Sequence, residues 1–288
     1  MRTLAIVVNE RCNIGCSYCF NTTHNTVVRR RAESNGLSEL KIREVATALS
    51  HLKYDSVTLT GGEPTVSKRC GMWLNELARN DVRTILITNL VHLPTSIEEL
   101  IFQHKKITVR VSLGGGSPQV HNAEREKFRE SEKNLKKLVQ RGVNCEVTMV
   151  ITPENLSAVP EFERFSNDLG CVGHIVPVSG FLGRILSDAT TAEWEDVMAR
   201  IEGPQLLQNL LMAQALLTKS ASPSGCPLRT QSHVLSQDGN LVGCFFREDI
   251  QFGNVTKTNA IEVFKQAWSP DVLPADCFGD HCIGIHLH

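Results

Sequence analysis

Neither sign of charge prevails in this sequence, where 30 Lys and Arg stand against 31 Asp and Glu for a formal net charge of −1. That balance excludes a general electrostatic attraction to nucleic acid or to an anionic membrane and leaves only local patches. Long apolar runs are missing as well. No stretch approaches the roughly 20 apolar residues of a membrane span, and the apolar start of MRTLAIVVNE is too short for the core of an export signal before it meets charged residues. A cytoplasmic address is therefore expected. The signature of disorder is also absent, because 41% hydrophobic residues is the content of an ordinary packed core. At 288 residues the chain has room for one large domain and a small appendage.

Cysteine is what the sequence has in plenty, with ten. In a chain this long without an export signal, they point to metal or redox chemistry rather than to a disulfide scaffold. Cys12, Cys16 and Cys19 cluster near the N-terminus, and Cys226, Cys244, Cys277 and Cys282 gather near the C-terminus. Cys70, Cys145 and Cys171 are scattered between and read as small core residues.

Short β-branched runs alternate with amphipathic stretches, predicting strands at Leu4 to Val8, Ser56 to Thr60, Thr84 to Thr88, Thr108 to Leu113, Cys145 to Ile151 and His174 to Val178. Helical spacing runs from Leu37 to Leu52 behind the cap candidate Ser38, and from Asn122 to Gln140 until Gly142 stops it. Repeated strand and helix alternation predicts an α/β fold of parallel βα units. Six units are too few for a closed eight-stranded barrel, so a partial (β/α)6 TIM-like barrel is expected over residues 1–217. The Ser, Gly and Pro-rich run at 218–225 reads as a linker. Residues 226–288 are too few to rely on a hydrophobic core alone, and their four cysteines suggest a metal staple.

The segment RCNIGCSYCF spaces its thiols CxxxCxxC directly after the first strand, in a loop at the catalytic face of a barrel. Three such thiolates can ligate three irons of a four-iron cube and leave the fourth iron open. A structural zinc site would instead close its shell with a fourth Cys or His, for which His24 is a candidate. With an aromatic, Tyr18, before the last cysteine, the motif resembles that of the radical S-adenosylmethionine (SAM) superfamily. The resemblance implies a catalytic [4Fe-4S] cluster on Cys12, Cys16 and Cys19, SAM chelated at the open iron, and Tyr18 and Phe20 near the adenine. TLTGGEPTVS matches the family's GGEP, which places Gly61, Gly62 and Glu63 at the methionyl end of SAM: the glycines allow close backbone approach, and Glu63 can accept from an ammonium group. Thr88 and Asn89 occupy the family's TNG position, with Leu90 in place of Gly. VRVSLGGGSPQVHNAERE is close to the SLDGP-x-x-x-H-x-x-x-R pattern of the branch with auxiliary clusters. Ser112, His121 and Arg125 match it, and Gly114 replaces the Asp. PVSGFLGRI resembles the family's P-x-x-G-R, making Arg184 a candidate for SAM carboxylate or substrate binding.

The C-terminal stretch has a hairpin signal at Asp238 and Gly239 between Cys226 and Cys244, followed by a helix-like run from Asn259 to Trp268 and then Cys277 and Cys282. This is similar to the SPASM and twitch extensions of the same superfamily, and implies one auxiliary iron-sulfur cluster, of [4Fe-4S] type, on Cys226, Cys244, Cys277 and Cys282. His281, His286 and His288 compete for the fourth position, and zinc on the same thiolates is the alternative. The implied reaction is reductive cleavage of SAM to a 5′-deoxyadenosyl radical that takes a substrate hydrogen, with a flavodoxin- or ferredoxin-type reductant as partner. An oxidoreductase dehydrogenating a small metabolite is the expected class. The rivals are a maturase that crosslinks or epimerises a short peptide and a zinc-stapled binding module. Because the first strand begins a few residues after Met1, an added N-terminal peptide-binding domain is not expected.

Overall fold

The computed structural model describes residues 2–19, 36–178, 191–217, 232–243, 245 and 249–268. Six strands and the helices between them follow the expected alternation: β1 (Thr3–Asn9), α1 (Glu39–His51), β2 (Ser56–Gly61), α2 (Lys68–Arg79), β3 (Thr84–Thr88), α3 (Thr95–Gln103), β4 (Ile107–Leu113), α4 (Pro118–Glu124), α5 (Phe128–Gln140), β5 (Cys145–Ile151), α6 (Val159–Asp168) and β6 (Val172–Pro177). Each strand from β1 to β6 pairs in parallel with the next in the chain, as a βα progression requires. Two more helices, α7 (Thr191–Ala199) and α8 (Pro204–Leu217), precede the short strands β7 (Ser232–Leu235), β8 (Asn240–Val242) and β9 (Gln251–Asn254) and the helix α9 (Ala260–Ala267). The sheet runs β6-β5-β4-β3-β2-β1-β7-β8-β9, an open partial barrel as expected.

The strands show why they form. Along β5 every second residue from Cys145 to Ile151 is buried, and β4 buries Val109, Val111 and Leu113. These side chains meet the apolar stripes of the helices, among them Ile42, Val45 and Leu49 of α1, Leu74 and Leu77 of α2, and Leu135 and Leu138 of α5, in one continuous core. Each such aliphatic residue contributes about 1.5–3 kcal/mol when removed from water. Cys70, Cys145 and Cys171 lie in this core as small apolar residues. The alternate strand positions, including Thr58, Thr60, Arg110, Ser112, Glu146, Thr148 and His174, are half-buried and face the inside of the barrel.

Two sequence expectations are refined. Ser38 caps α1 with its hydroxyl accepting from the Lys41 N–H, as the pattern predicts. The single helix expected from Asn122 to Gln140, however, is broken at Arg125, which is extended, and at Lys127, whose φ is +67°. The break turns Glu124 and Arg125 inward, for a reason that lies in the cysteine loop.

The DG hairpin forms as expected, with Leu235 opposite Leu241 and Gly239 at φ +84°. Here β7 lies in parallel beside β1, and Phe252, Val255, Val263 and Phe264 join the same core as Leu4 and Ile6. The described part of this segment thus draws its burial from the barrel. The Trp268 indole N–H donates to the Tyr54 hydroxyl at 2.9 Å, and the Ala260 N–H to Glu44, tying α9 to the first βα unit. The linker 218–225 and Cys226, Cys244, Cys277 and Cys282 lie outside the described residues.

Two buried histidines make the fold acid-sensitive. His233 of β7 lies 4.9 Å from Phe252 and 4.4 Å from Trp268, ring to ring, with no hydrogen-bond partner for either nitrogen among the described residues. Burial pulls it from 6.5 down to about 4. Burial and the Arg125 charge pull His121 down to about 4 against the Glu126 carbonyl. Both are neutral in the fold, so the unfolded chain binds up to two more protons between about pH 6.5 and 4. Stability is expected to be full above pH 6.5 and to fall as pH drops, by up to ~1.4 kcal/mol per pH unit for each histidine. Urea midpoints at pH 5 and 7 test this: His233→Phe, which suits the aromatic surroundings, should remove about half of the slope.

Candidate active site

The cysteine loop leaves β1 at the C-terminal edge of the sheet, and backbone contacts fix its course. Gly62 N–H donates to the Asn9 carbonyl at 2.8 Å, Glu63 N–H to the Arg11 carbonyl at 2.6 Å, and the Asn9 amide to the Glu63 carbonyl at 2.8 Å. This contact is what the two glycines permit. A Cβ on Gly61, at φ +144°, would fall 2.1 Å from the Asn9 carbonyl oxygen, and one on Gly62 would fall 2.2 Å from that of Arg11. The backbone they approach closely is that of the cysteine loop.

Glu63 binds the ends of three strands together. Its side chain is 1% exposed; Oε1 accepts from Thr65 N–H (3.0 Å), the Thr65 hydroxyl (2.7 Å) and the Thr88 hydroxyl (2.7 Å), while Oε2 accepts from Asn89 N–H (2.6 Å). Three of these donors crowd Oε1 and one meets Oε2, so most of the carboxylate's acceptor capacity is taken up within the protein. Asn89 in turn reaches the loop, its amide donating to Asn13 Oδ1 at 2.8 Å and lying 3.8 Å from Cys12 Sγ. Leu90, in place of the family pattern's Gly, has φ +56°. A left-handed conformation costs a side-chain-bearing residue about 1–2 kcal/mol, which complete burial of the leucine offsets.

From the other side the broken helix holds the loop. The Ser17 N–H donates to the Glu124 carbonyl at 3.0 Å, and the Ser17 hydroxyl donates to the Glu124 carboxylate, which also accepts from Thr152. Arg125 donates to the Tyr18 hydroxyl at 3.0 Å. Tyr18 is 7% exposed, and its ring belongs to the core. His121 accepts at Nδ1 from Gly114 N–H at 3.2 Å and stacks edge-on to Phe128, so it is a core residue linking β4 to α4. A Cβ on Gly114 would lie 3.1 Å from the His121 carbonyl oxygen, which leaves an aspartate little room there.

Cys12 is exposed and Cys16 and Cys19 are half-buried. Burial pushes Cys16 up to about 11, although the Arg125 charge opposes it; burial likewise raises Cys12 against a hydrogen bond from the Ile14 backbone. Metal must therefore displace protons from these thiols. Among the described residues no three Cys, His, Asp or Glu side chains lie close enough to share one metal ion. Each iron of a cube takes one thiolate, so three thiols suit a four-iron cluster with one iron left open, whereas a structural zinc site takes a fourth ligand. Ser112 lies on the inner face of β4, opposite Thr148 of β5. Arg184 and Phe20 lie outside the described residues.

A family model described as the radical SAM superfamily matches residues 6–166, a stretch that takes in the cysteine loop, GGEP and most of α6. The chain belongs to the radical SAM superfamily. It is 36% identical over 76 residues to the GTP 3′,8-cyclase of Peptoclostridium acidaminophilum, a match that takes in 26% of this chain and 22% of that one. In fold it is similar to Streptococcus suis SuiB bound to the precursor peptide SuiA, with a TM-score of 0.72 and 17% identity over 93% of this chain and 64% of that one. It is also similar to anSMEcpe with bound AdoMet and the Kp18Cys peptide, with a TM-score of 0.64 and 16% identity over 91% of this chain and 80% of that one. The superfamily implies SAM and a [4Fe-4S] cluster, and the thiol loop has the donors to hold the latter. No helix among the described residues is long and apolar enough to cross a membrane.

Proposed function

We propose that this radical SAM enzyme oxidises a small metabolite by hydrogen abstraction and passes the remaining electron to an auxiliary iron-sulfur cluster. The observation that carries the first half is the placement of Cys12, Cys16 and Cys19 at the mouth of a partial barrel whose inner face is open and partly polar. When bound, the [4Fe-4S] cluster supplies one electron to SAM and so yields the 5′-deoxyadenosyl radical that takes the hydrogen. The chain's own residues position and enclose. Glu124, Arg125, Asn89 and Glu63 hold the loop, while the inner strand positions orient the substrate and exclude water. Gly61, Gly62, Asn89, Ser112 and Tyr18 are the proposed SAM neighbours, joined by Arg184, and Glu63 holds the GGEP turn and Asn89 in place beside them. The reductant is of flavodoxin or ferredoxin type.

The auxiliary cluster is read from Cys226, Cys244, Cys277 and Cys282, in a domain running from 226 to 288 behind a barrel of 1–217. Its support is the hairpin of β7 and β8, which ends two residues before Cys244. A second reading, a peptide-modifying maturase of the same SPASM or twitch branch, is favoured by the peptides bound in the SuiB and anSMEcpe structures.

A variant with Cys12, Cys16 and Cys19 all replaced by alanine tests the auxiliary site. Reconstituted anaerobically, it is expected to keep about four irons and four sulfides, the content of one cube, without cleaving SAM. Zinc, or no metal, would refute the second cluster. In the otherwise intact chain, Cys244→Ala should release 5′-deoxyadenosine with little oxidised product. Undiminished product would make the site structural.

A further inference from the structure

The inside of the barrel is divided. Toward β7 and β8 it is apolar, where Ala5, Val234 and Val242 form a cluster with Val7 and Phe245 against it. Toward β4, β5 and β6 it is charged. Arg110 and Glu146 are direct partners across β4 and β5, with Arg110 Nε donating to Glu146 Oε2 at 2.7 Å. His174 Nε2 of β6 lies 3.3 Å from the same oxygen. Burial would raise the Glu146 carboxyl, but the His174 ring and the Arg110 charge outweigh it and hold the group down to about 2.

A pair that served only to cancel two buried charges would close on itself in the bidentate form that arginine and carboxylate favour. This pair is joined at one nitrogen and one oxygen. The terminal nitrogens of Arg110 and the Oε1 of Glu146 have no other hydrogen bond or ion pair among the described residues. One positive and one negative edge therefore remain, side by side. Just above them, on the inner face, are Ser112 and Thr148, and the Thr148 hydroxyl is buried without a partner among the described residues. The end of β4 at Leu113 is three residue steps beyond Arg110. At about 3.3 Å per residue that is a depth of roughly 10 Å, the length of a small amino acid from carboxylate to side-chain tip.

We propose that Arg110, Glu146 and His174 form the polar end of the substrate chamber and take the α-amino-acid head of a small metabolite. Its carboxylate pairs with the terminal nitrogens of Arg110, and its ammonium with Oε1 of Glu146. A neutral polyol would leave both charged edges without a counter-charge, and a simple anion would leave Glu146 facing a like charge. The zwitterionic head matches both, and the apolar wall of Ala5, Val7 and Val234 suits a hydrocarbon body. The inference rests on the proposed hydrogen abstraction and adds to it the class of substrate.

The test supplies the reconstituted enzyme with SAM, dithionite and a mixture of perdeuterated L-amino acids, and reads deuterium in 5′-deoxyadenosine by mass spectrometry. Deuterium is expected from this mixture and not from perdeuterated glucose or glycerol. The ratio of deuterium to deoxyadenosine should fall at least tenfold in Glu146→Gln. The same fall is expected in the double variant Arg110→Met, Glu146→Met, which removes both charges and so spares the fold an uncompensated ion. Label from the polyols alone, no label from the amino acids, or an unchanged ratio in both variants would overturn the chamber assignment. A wild-type enzyme that released no deoxyadenosine at all would instead overturn the hydrogen-abstraction reading beneath it.

Discussion

Replacing Cys16 by alanine is expected to abolish the release of 5′-deoxyadenosine from SAM and to leave a folded chain. The two halves of this expectation have separate causes. The loop is held by groups other than its thiols: Ser17 on Glu124, Tyr18 on Arg125, Asn13 on Asn89, and the backbone at Asn9 and Arg11 on the GGEP turn. Loss of one half-buried sulfur from such a loop falls among ordinary substitutions, about 1 kcal/mol. For the cluster the same change removes one of three thiolates, leaving an iron with no protein ligand. The measurement is deoxyadenosine by chromatography and mass spectrometry, with circular dichroism to report folding. Cys12→Ala and Cys19→Ala should behave alike. A Cys16→Ala enzyme that still cleaved SAM at the parent rate would remove this loop from the chemistry.

Much of the frame was legible because burial writes itself into a strand with period two. The run CEVTMVI announces β5, and its bounds agree with the structure to the residue. The Ser38 cap was legible for a similar reason, since a hydroxyl before a helical pattern has one obvious use. The break at Arg125 was hidden. Apolar and charged residues keep helical spacing through it, and only the tertiary demand of Tyr18 and Ser17 turns Glu124 and Arg125 inward. Arg110, Glu146 and His174 belong to no motif, and their signal in the sequence is that they are charged or polar residues at inner-face positions of strands whose alternate positions are apolar. In TNL the departure from TNG also carried information, since a glycine in the family pattern marks the positive φ that Leu90 adopts.

Glu63→Ala is expected to cost several kcal/mol of stability and to lower iron content together with SAM binding. Taken from the motif alone, the carboxylate would meet the ammonium group of SAM, and its loss would weaken SAM binding more than cluster assembly. Its surroundings make a different demand. Four donors, from Thr65, Thr88 and Asn89, already converge on it. Removing the acceptor strands these donors in a buried site, where each unsatisfied group costs about 1–3 kcal/mol. Partial relaxation and water entry keep the sum below four such penalties, so a loss of roughly 3–5 kcal/mol is the expected scale. Asn89 would then lose its anchor beside Cys12, and the damage would reach the cluster loop. Glu63→Gln separates the two roles. Its amide oxygen can keep the three bonds now made to Oε1, but its NH2 would face the Asn89 N–H, donor against donor. That variant should lose about 1–3 kcal/mol and part of its iron. Thermal melting, iron analysis and SAM titration on both variants decide the matter: unchanged melting and iron with lost SAM affinity would return the carboxylate to the role of a direct SAM contact.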